Sequence, residues 1–198
     1  MLDELSASDN VHWQQRLEKI CYIGGITEIR GIRELIIAMS DVKGRLDLAG
    51  RFSPISIRKE FKALPSWNKI NELGFVDREM VKSILATSRA GIVTFHPSPN
   101  HINSQPNKLF EYLSAGIPVI TSDFPLWRKI VKGYNCGLIV DPLNPKEIAD
   151  AINWIINNPE EAEKMGKNGR KAVEEHFNWG NEKKKLLNMY QNITGVSL

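Results

Sequence analysis

Two rhythms of apolar and polar positions share this chain. From residue 17 onward, short apolar runs of strand length are followed by stretches in which apolar residues recur every three or four positions, the period of a helix with one buried face. The runs Lys19 to Ile23, Leu46 to Ala49, Lys69 to Phe75, Ala90 to Phe95, Val119 to Ser122 and Leu138 to Val140 predict strands. Between them, Gly31 to Met39, Ser56 to Ala63, Glu79 to Ala86, Lys108 to Ser114 and Leu126 to Val131 predict the helical crossovers. Such alternation predicts an α/β fold: a Rossmann-like, doubly wound parallel sheet of about six strands with helices on both faces. After the last strand the pattern turns helical only. Ile148, Ala151, Ile152, Ile155 and Ile156 form one stripe, and Asn144-Pro145 and Asn158-Pro159 read as helix starts, with Glu147 and Glu161 placed for capping boxes. A last amphipathic segment, Asn181 to Asn192, carries Leu186, Leu187 and Tyr190 beside the lysine run 183–185.

Composition narrows the class. A chain of 198 residues that is 42% apolar suits one domain, expected over residues 17–198, behind a polar leader or inter-domain linker remnant at 1–16. A quarter of the residues are charged with a net charge of +3, which weighs against disorder and against nucleic acid as partner. A weakly basic surface suits anionic small molecules or lipid headgroups. Cys21 and Cys136 each sit in an apolar run, as reduced buried thiols of a cytoplasmic protein do, and neither has metal-ligand spacing around it. The opening residues contain no apolar signal core, and no apolar stretch approaches the roughly 20 residues of a membrane span. A soluble, cytoplasmic protein is expected, with peripheral attachment to the inner membrane face through the lysine run as the lesser alternative.

In a doubly wound sheet, ligands bind at the carboxyl ends of strands where the strand order reverses, which singles out the loops after the first and fourth strands. The first loop contains Gly24 and Gly25, which permit a tight turn and close backbone approach, and Arg30, a forked cation beside a helix start. It spells neither a dinucleotide fingerprint nor a P-loop. The second, residues 97–107, is long, polar and proline-punctuated, and leads into Lys108-Leu109-Phe110-Glu111-Tyr112-Leu113-Ser114. A helix amino end with a lysine in its first turn suits a diphosphate. Glu111, one turn further in, suits the paired hydroxyls of a ribose. The plainer alternative makes Lys108 and Glu111 a surface pair. His96 and His101 border the loop, with a lesser claim as catalytic acid or base.

The run from Pro106 to Ile120 closely resembles the C-terminal motif of family 4 glycosyltransferases of the GT-B fold. Gly74-Phe75-Val76, the segment from Cys136 to Pro142, and Phe177-Asn178-Trp179 with Tyr190 stand in that family's order, so the resemblance spans roughly Lys19 to Tyr190. It implies a domain that holds a nucleoside-diphosphate sugar, while a separate N-terminal domain, not in this sequence, holds the acceptor. The chain alone is therefore expected to lack turnover. The resemblance further implies a phosphate cradle from the N–H groups near Asn107, Lys108 and Leu109, a ribose contact at Glu111, a base held by the loop at Val76, and no cofactor or metal. The leaving diphosphate of such a retaining enzyme serves as its own base, so no catalytic residue is expected on this half. A polysaccharide or glycoconjugate product is implied, with a membrane-surface or lipid-linked acceptor as one option. Two positions depart from the pattern. Gly25 stands where the family commonly has arginine, with Arg30 in the place of its lysine, and Asn103 replaces the first glutamate of E-x7-E. These departures keep open a nucleotide-binding regulatory module without transfer activity. Half of a nucleotide-sugar epimerase is the third alternative.

Overall fold

The structure, a computed structural model, describes residues 13–195. Six strands, β1 (Lys19–Ile23), β2 (Arg45–Ala49), β3 (Ile70–Gly74), β4 (Ala90–Val93), β5 (Val119–Ser122) and β6 (Gly137–Val140), form one parallel sheet in the order 3-2-1-4-5-6. The helices are α1 (Ile32–Ala38), α2 (Ile57–Lys62), α3 (Arg78–Thr87), α4 (Pro99–Ile102), α5 (Asn107–Ser114), α6 (Pro125–Gly133), α7 (Pro145–Asn157), α8 (Pro159–Glu175) and α9 (Trp179–Thr194). The doubly wound sheet with a helical C-terminal end follows from the residue pattern: β4 and β5 are buried at every position, as strands covered on both faces must be. Among the described residues, no helix is long and apolar enough to cross a membrane.

The strand order reverses between β1 and β4. Pairing there is short, Ile20 with Ala90 and Cys21 with Gly91, whereas β1 pairs with β2 along its whole length from Lys19–Arg45 to Ile23–Ala49. A partly buried ion pair backs the longer ladder, with Lys19 Nζ 2.5 Å from Asp47 Oδ2 and Asn71 donating to the other carboxylate oxygen at 2.9 Å.

Several boundaries differ from the pattern-based expectation, each for a local reason. Residues 1–12 of the expected leader lie outside the described residues, but 13–16 belong to the fold: Trp13 is buried, and Arg16 donates to the carbonyls of Leu85 and Ser88 at 2.6 and 2.8 Å. Strand β3 ends at Gly74, whose left-handed φ of +67° turns the chain and leaves Phe75 outside the sheet. The long polar loop contains the unforeseen helix α4, capped by Ser98, which accepts from the His101 N–H, with Pro99 at its first position. Asn144 caps α7, accepting from the N–H groups of Lys146 and Glu147. Asn158 does not cap α8; its amide donates instead to the Trp154 carbonyl and closes α7. Helix α9 begins earlier than expected, at Trp179, and none of its residues is buried.

Packing on β4 sets where α5 lies. The Tyr112 ring lies over Gly91, where a Cβ would come within 2.2 Å of a ring carbon, and the Tyr112 hydroxyl accepts from the Ile23 N–H at 3.0 Å. Gly91→Ala should therefore cost about 1–3 kcal/mol through overpacking, whereas Tyr112→Phe, which keeps the ring and strands one buried N–H, should also cost about 1–3 kcal/mol without any clash. Urea unfolding of the two variants measures both costs. A wild-type midpoint for Gly91→Ala would show that the ring does not rest on the strand.

Candidate functional site

The loops after β1 and β4 meet at the reversal point, and two cations, carried by different elements, converge on the first of them. Gly24 adopts φ +145°, and a Cβ there would lie 2.7 Å from Lys108 Nζ; one on Gly25 would lie 2.9 Å from an Arg30 guanidinium nitrogen. The glycines thus admit both cations against bare backbone. Lys108 approaches from α5 and Arg30 from the 3-10 turn Glu28–Arg30. The family's arginine position is occupied by Gly25, yet the loop still faces two positive groups.

Lys108 is 9% exposed. Its ammonium donates to the Tyr22 hydroxyl at 3.4 Å and lies 4.7 and 4.9 Å from the ring centres of Tyr22 and Phe95. The Tyr22 hydroxyl in turn donates to the Gly25 carbonyl at 2.7 Å, and Arg30 donates to the same oxygen at 3.2 Å. Aromatic faces and one carbonyl therefore hold these charges. Burial, then the neighbouring Arg30 charge, pull the Lys108 pKa from its usual 10.5 down to about 7, against an opposing pull from Glu111.

The N–H of Gly25 has no acceptor among the described residues, and those of Asn107 and Lys108, first in α5, have none within the helix. The N–H of Leu109 donates to the Pro106 carbonyl at 3.0 Å, and its side chain is fully buried, so Leu109 supplies packing to this helix end. Glu111 is half-buried on the same helix and stands 3.8 Å from the Arg78 guanidinium of α3, a neighbour that lies too far off in sequence to be foreseen. Val76 lines a cleft of about 320 Å3 that also touches Gly24 and Gly25. Asn103 ends α4 exposed, its amide donating to the Pro99 carbonyl at 3.2 Å. His96 pairs with Glu34 of α1 at 2.9 Å and His101 meets the His96 carbonyl at 3.0 Å, so the first ring ties the loop to α1 and the second braces the loop itself. Among the described residues, no three His, Cys, Asp or Glu side chains converge as metal ligands. Cys21 and Cys136 are buried and unbridged.

Comparison with known proteins bears on the family and the fold. The family model described as Glycosyl transferases group 1 matches residues 6–172. An uncharacterized glycosyltransferase of Methanocaldococcus jannaschii is 24% identical over 199 residues, covering 92% of this chain and 50% of that protein. The fold resembles sucrose-phosphate synthase from Thermosynechococcus elongatus, with a TM-score of 0.79 at 23% identity over 98% of this chain and 49% of that one. It also resembles Anabaena HepE in complex with UDP, with a TM-score of 0.77 at 15% identity over 96% and 53%. The chain therefore spans about half the length of these relatives.

The buried Lys108 makes the stability of the fold depend on pH with a definite sign. An unfolded lysine keeps its proton up to about pH 10.5, while the folded one loses it near 7, so above pH 7 the unfolded chain binds more protons and stability rises with pH. The window closes near pH 9, where the two cysteines, held protonated to about 12 by burial, act in the opposite direction. Between pH 7 and 9 the lysine adds at most about 1.4 kcal/mol per pH unit, and Lys108→Met should remove that slope. Urea unfolding at pH 7, 8 and 9 compares the two proteins; parallel curves would mean that Lys108 is not desolvated.

Proposed function

The chain belongs to the group 1 glycosyl transferase family, and from that membership we propose that it is the donor half of a retaining family 4 enzyme. In this reading it holds a nucleoside-diphosphate sugar and works with a separate N-terminal acceptor domain in polysaccharide or glycoconjugate synthesis, in the cytoplasm and without a metal. The observation that carries it is the convergence of Lys108 and Arg30 on the Gly24-Gly25 loop at the reversal point, with unpaired N–H groups alongside. A buried lysine and a half-buried arginine, with no carboxylate in contact among the described residues, form a site for an anion, and a diphosphate supplies the missing charge. The likeness to a protein solved with UDP supports a nucleoside diphosphate as that anion.

On this reading Arg30, Lys108 and the amino end of α5 stabilise the charge that develops on the departing diphosphate. The phosphate oxygens take the acceptor proton, so His96 and His101 need no chemical role. Glu111 accepts from the ribose hydroxyls, oriented by Arg78. The regulatory-module reading draws on Asn103, whose amide is already engaged by Pro99, leaving the loop without a carboxylate toward the sugar.

Calorimetry with two ligands tests the assignment. Glu111→Gln keeps one acceptor oxygen but loses the charge, so UDP should bind about tenfold more weakly, in line with roughly 1–3 kcal/mol for charge-assisted bonds. Inorganic pyrophosphate, which has no ribose, should bind as before or slightly better. Lys108→Ala should weaken both ligands by roughly 1.5–3 kcal/mol and flatten the salt dependence. If Lys108→Ala leaves both affinities within about twofold, the diphosphate lies elsewhere; if Glu111→Gln leaves UDP unchanged, Glu111 is a surface residue.

A further inference from the structure

The cleft beside the glycine loop has a polar group at its rim that the proposed function does not use. Ile23, Ala49, Val76 and Val81 make its walls apolar, and Phe75 and Arg51 stand at its edge. Phe75 is 73% exposed, and the Arg51 guanidinium carbon lies 4.6 Å from its ring centre. Among the described residues, no carboxylate pairs with Arg51.

The backbone beneath Arg51 is held on both sides. The Gly50 N–H donates to the Gly74 carbonyl at 2.6 Å, and the Arg51 carbonyl accepts from the Ile26 N–H at 2.8 Å. Gly50 adopts φ +149°, and a Cβ on it would lie 1.7 Å from the Gly24 carbonyl oxygen. Strand β2 therefore runs bare against the glycine loop, and Arg51 is the first residue beyond Ala49 to offer a side chain to the cleft. A fixed backbone and an aromatic support keep the ordering cost of that long side chain low.

We propose that Arg51 reads the base of the bound nucleotide and selects keto over amino bases. The inference rests on the donor-binding function above, with the base seated in the apolar cleft. A guanidinium donates hydrogen bonds and accepts none. Uracil and thymine carry an exocyclic oxygen at O4 and guanine at O6, and each accepts from Arg51; the amino groups of cytosine and adenine at the same edge are donors and leave the guanidinium unmatched. With apolar walls elsewhere, the rim supplies the polar discrimination, and Phe75 holds the guanidinium over the ring edge.

Calorimetry on the 198-residue chain with UDP, CDP, GDP and ADP, and with inorganic pyrophosphate as control, tests this in size-matched pairs. Wild type should bind the keto member at least about tenfold more tightly than the amino member in one or both pairs, UDP over CDP and GDP over ADP. Arg51→Ala should bring each ratio within about twofold by weakening the keto ligand, with pyrophosphate unchanged. Arg51→Glu, which accepts where arginine donates, should tip the ratio toward CDP or ADP. Ratios near one in wild type, ratios that survive Arg51→Ala, or an equal loss of pyrophosphate would each overturn the base-reading role while leaving diphosphate binding intact. If none of the four nucleotides binds while the chain remains folded, the donor-binding reading itself falls.

Discussion

The Tyr112 ring rests on the bare backbone of Gly91 and takes the Ile23 N–H on its hydroxyl, and the rest of the site depends on that contact. It fixes α5 at once against β4 and against the end of β1, strands that are neighbours in the sheet but distant in the chain. Lys108 stands one turn before Tyr112 on that helix. Seating the ring therefore carries the ammonium beneath Gly24, and any side chain at position 91 would lift helix and cation together. Core packing and site geometry are one arrangement here, because interiors as dense as organic crystals pass a displacement on rather than absorb it.

Two like charges brought together in a poorly hydrated place cost stability, and the fold meets that cost with soft partners. Tyr22 and Phe95 turn ring faces to Lys108, Phe95 also faces Arg30, and the Gly25 carbonyl accepts from both the Tyr22 hydroxyl and Arg30. None of these neutralises a charge, as the contrasting Lys19–Asp47 pair does on the same strand ladder. A carboxylate in contact with either cation would stabilise the empty protein and compete with any anionic ligand. The aromatic support keeps the cations ordered yet unsatisfied, which is the state an anion site requires.

What can be read along the chain and what cannot divide by sequence separation. The six strands, the crossovers and the two loops at the reversal point follow from apolar period and turn residues, which act within a few positions of one another. The apolar run 69–75 overshot because Gly74 turns the chain, a conformation that residue type permits without announcing. The Asn158-Pro159 pair carries the signature of a helix start, yet its amide serves the end of the previous helix; the same side chain suits both tasks, and local pattern does not choose between them. Contacts between loops stayed hidden. Lys108 reaches a tyrosine 86 residues away, Arg51 and Phe75 meet because the neighbouring strands β2 and β3 deliver their loops to one edge, and Arg78 meets Glu111 although two strands stand between β3 and β4.

The short pairing between β1 and β4 gives the sheet a mechanical seam. The paired rungs across it are Ile20 with Ala90 and Cys21 with Gly91, flanked by main-chain bonds from the Arg89 N–H to the Lys19 carbonyl at 2.8 Å and from the His96 N–H to the Ile29 carbonyl at 2.9 Å, and side chains such as Tyr112 and Lys108 add to these in fastening β3-β2-β1 to β4-β5-β6. Gly24, Gly25 and Arg51 belong to one half and the amino end of α5 to the other. A group that gripped both would act as a bracket across the shortest strand pairing of the sheet. On the proposed function, a nucleoside diphosphate held by both halves would be strained when they are pulled apart, so its binding would show as stiffness as well as affinity.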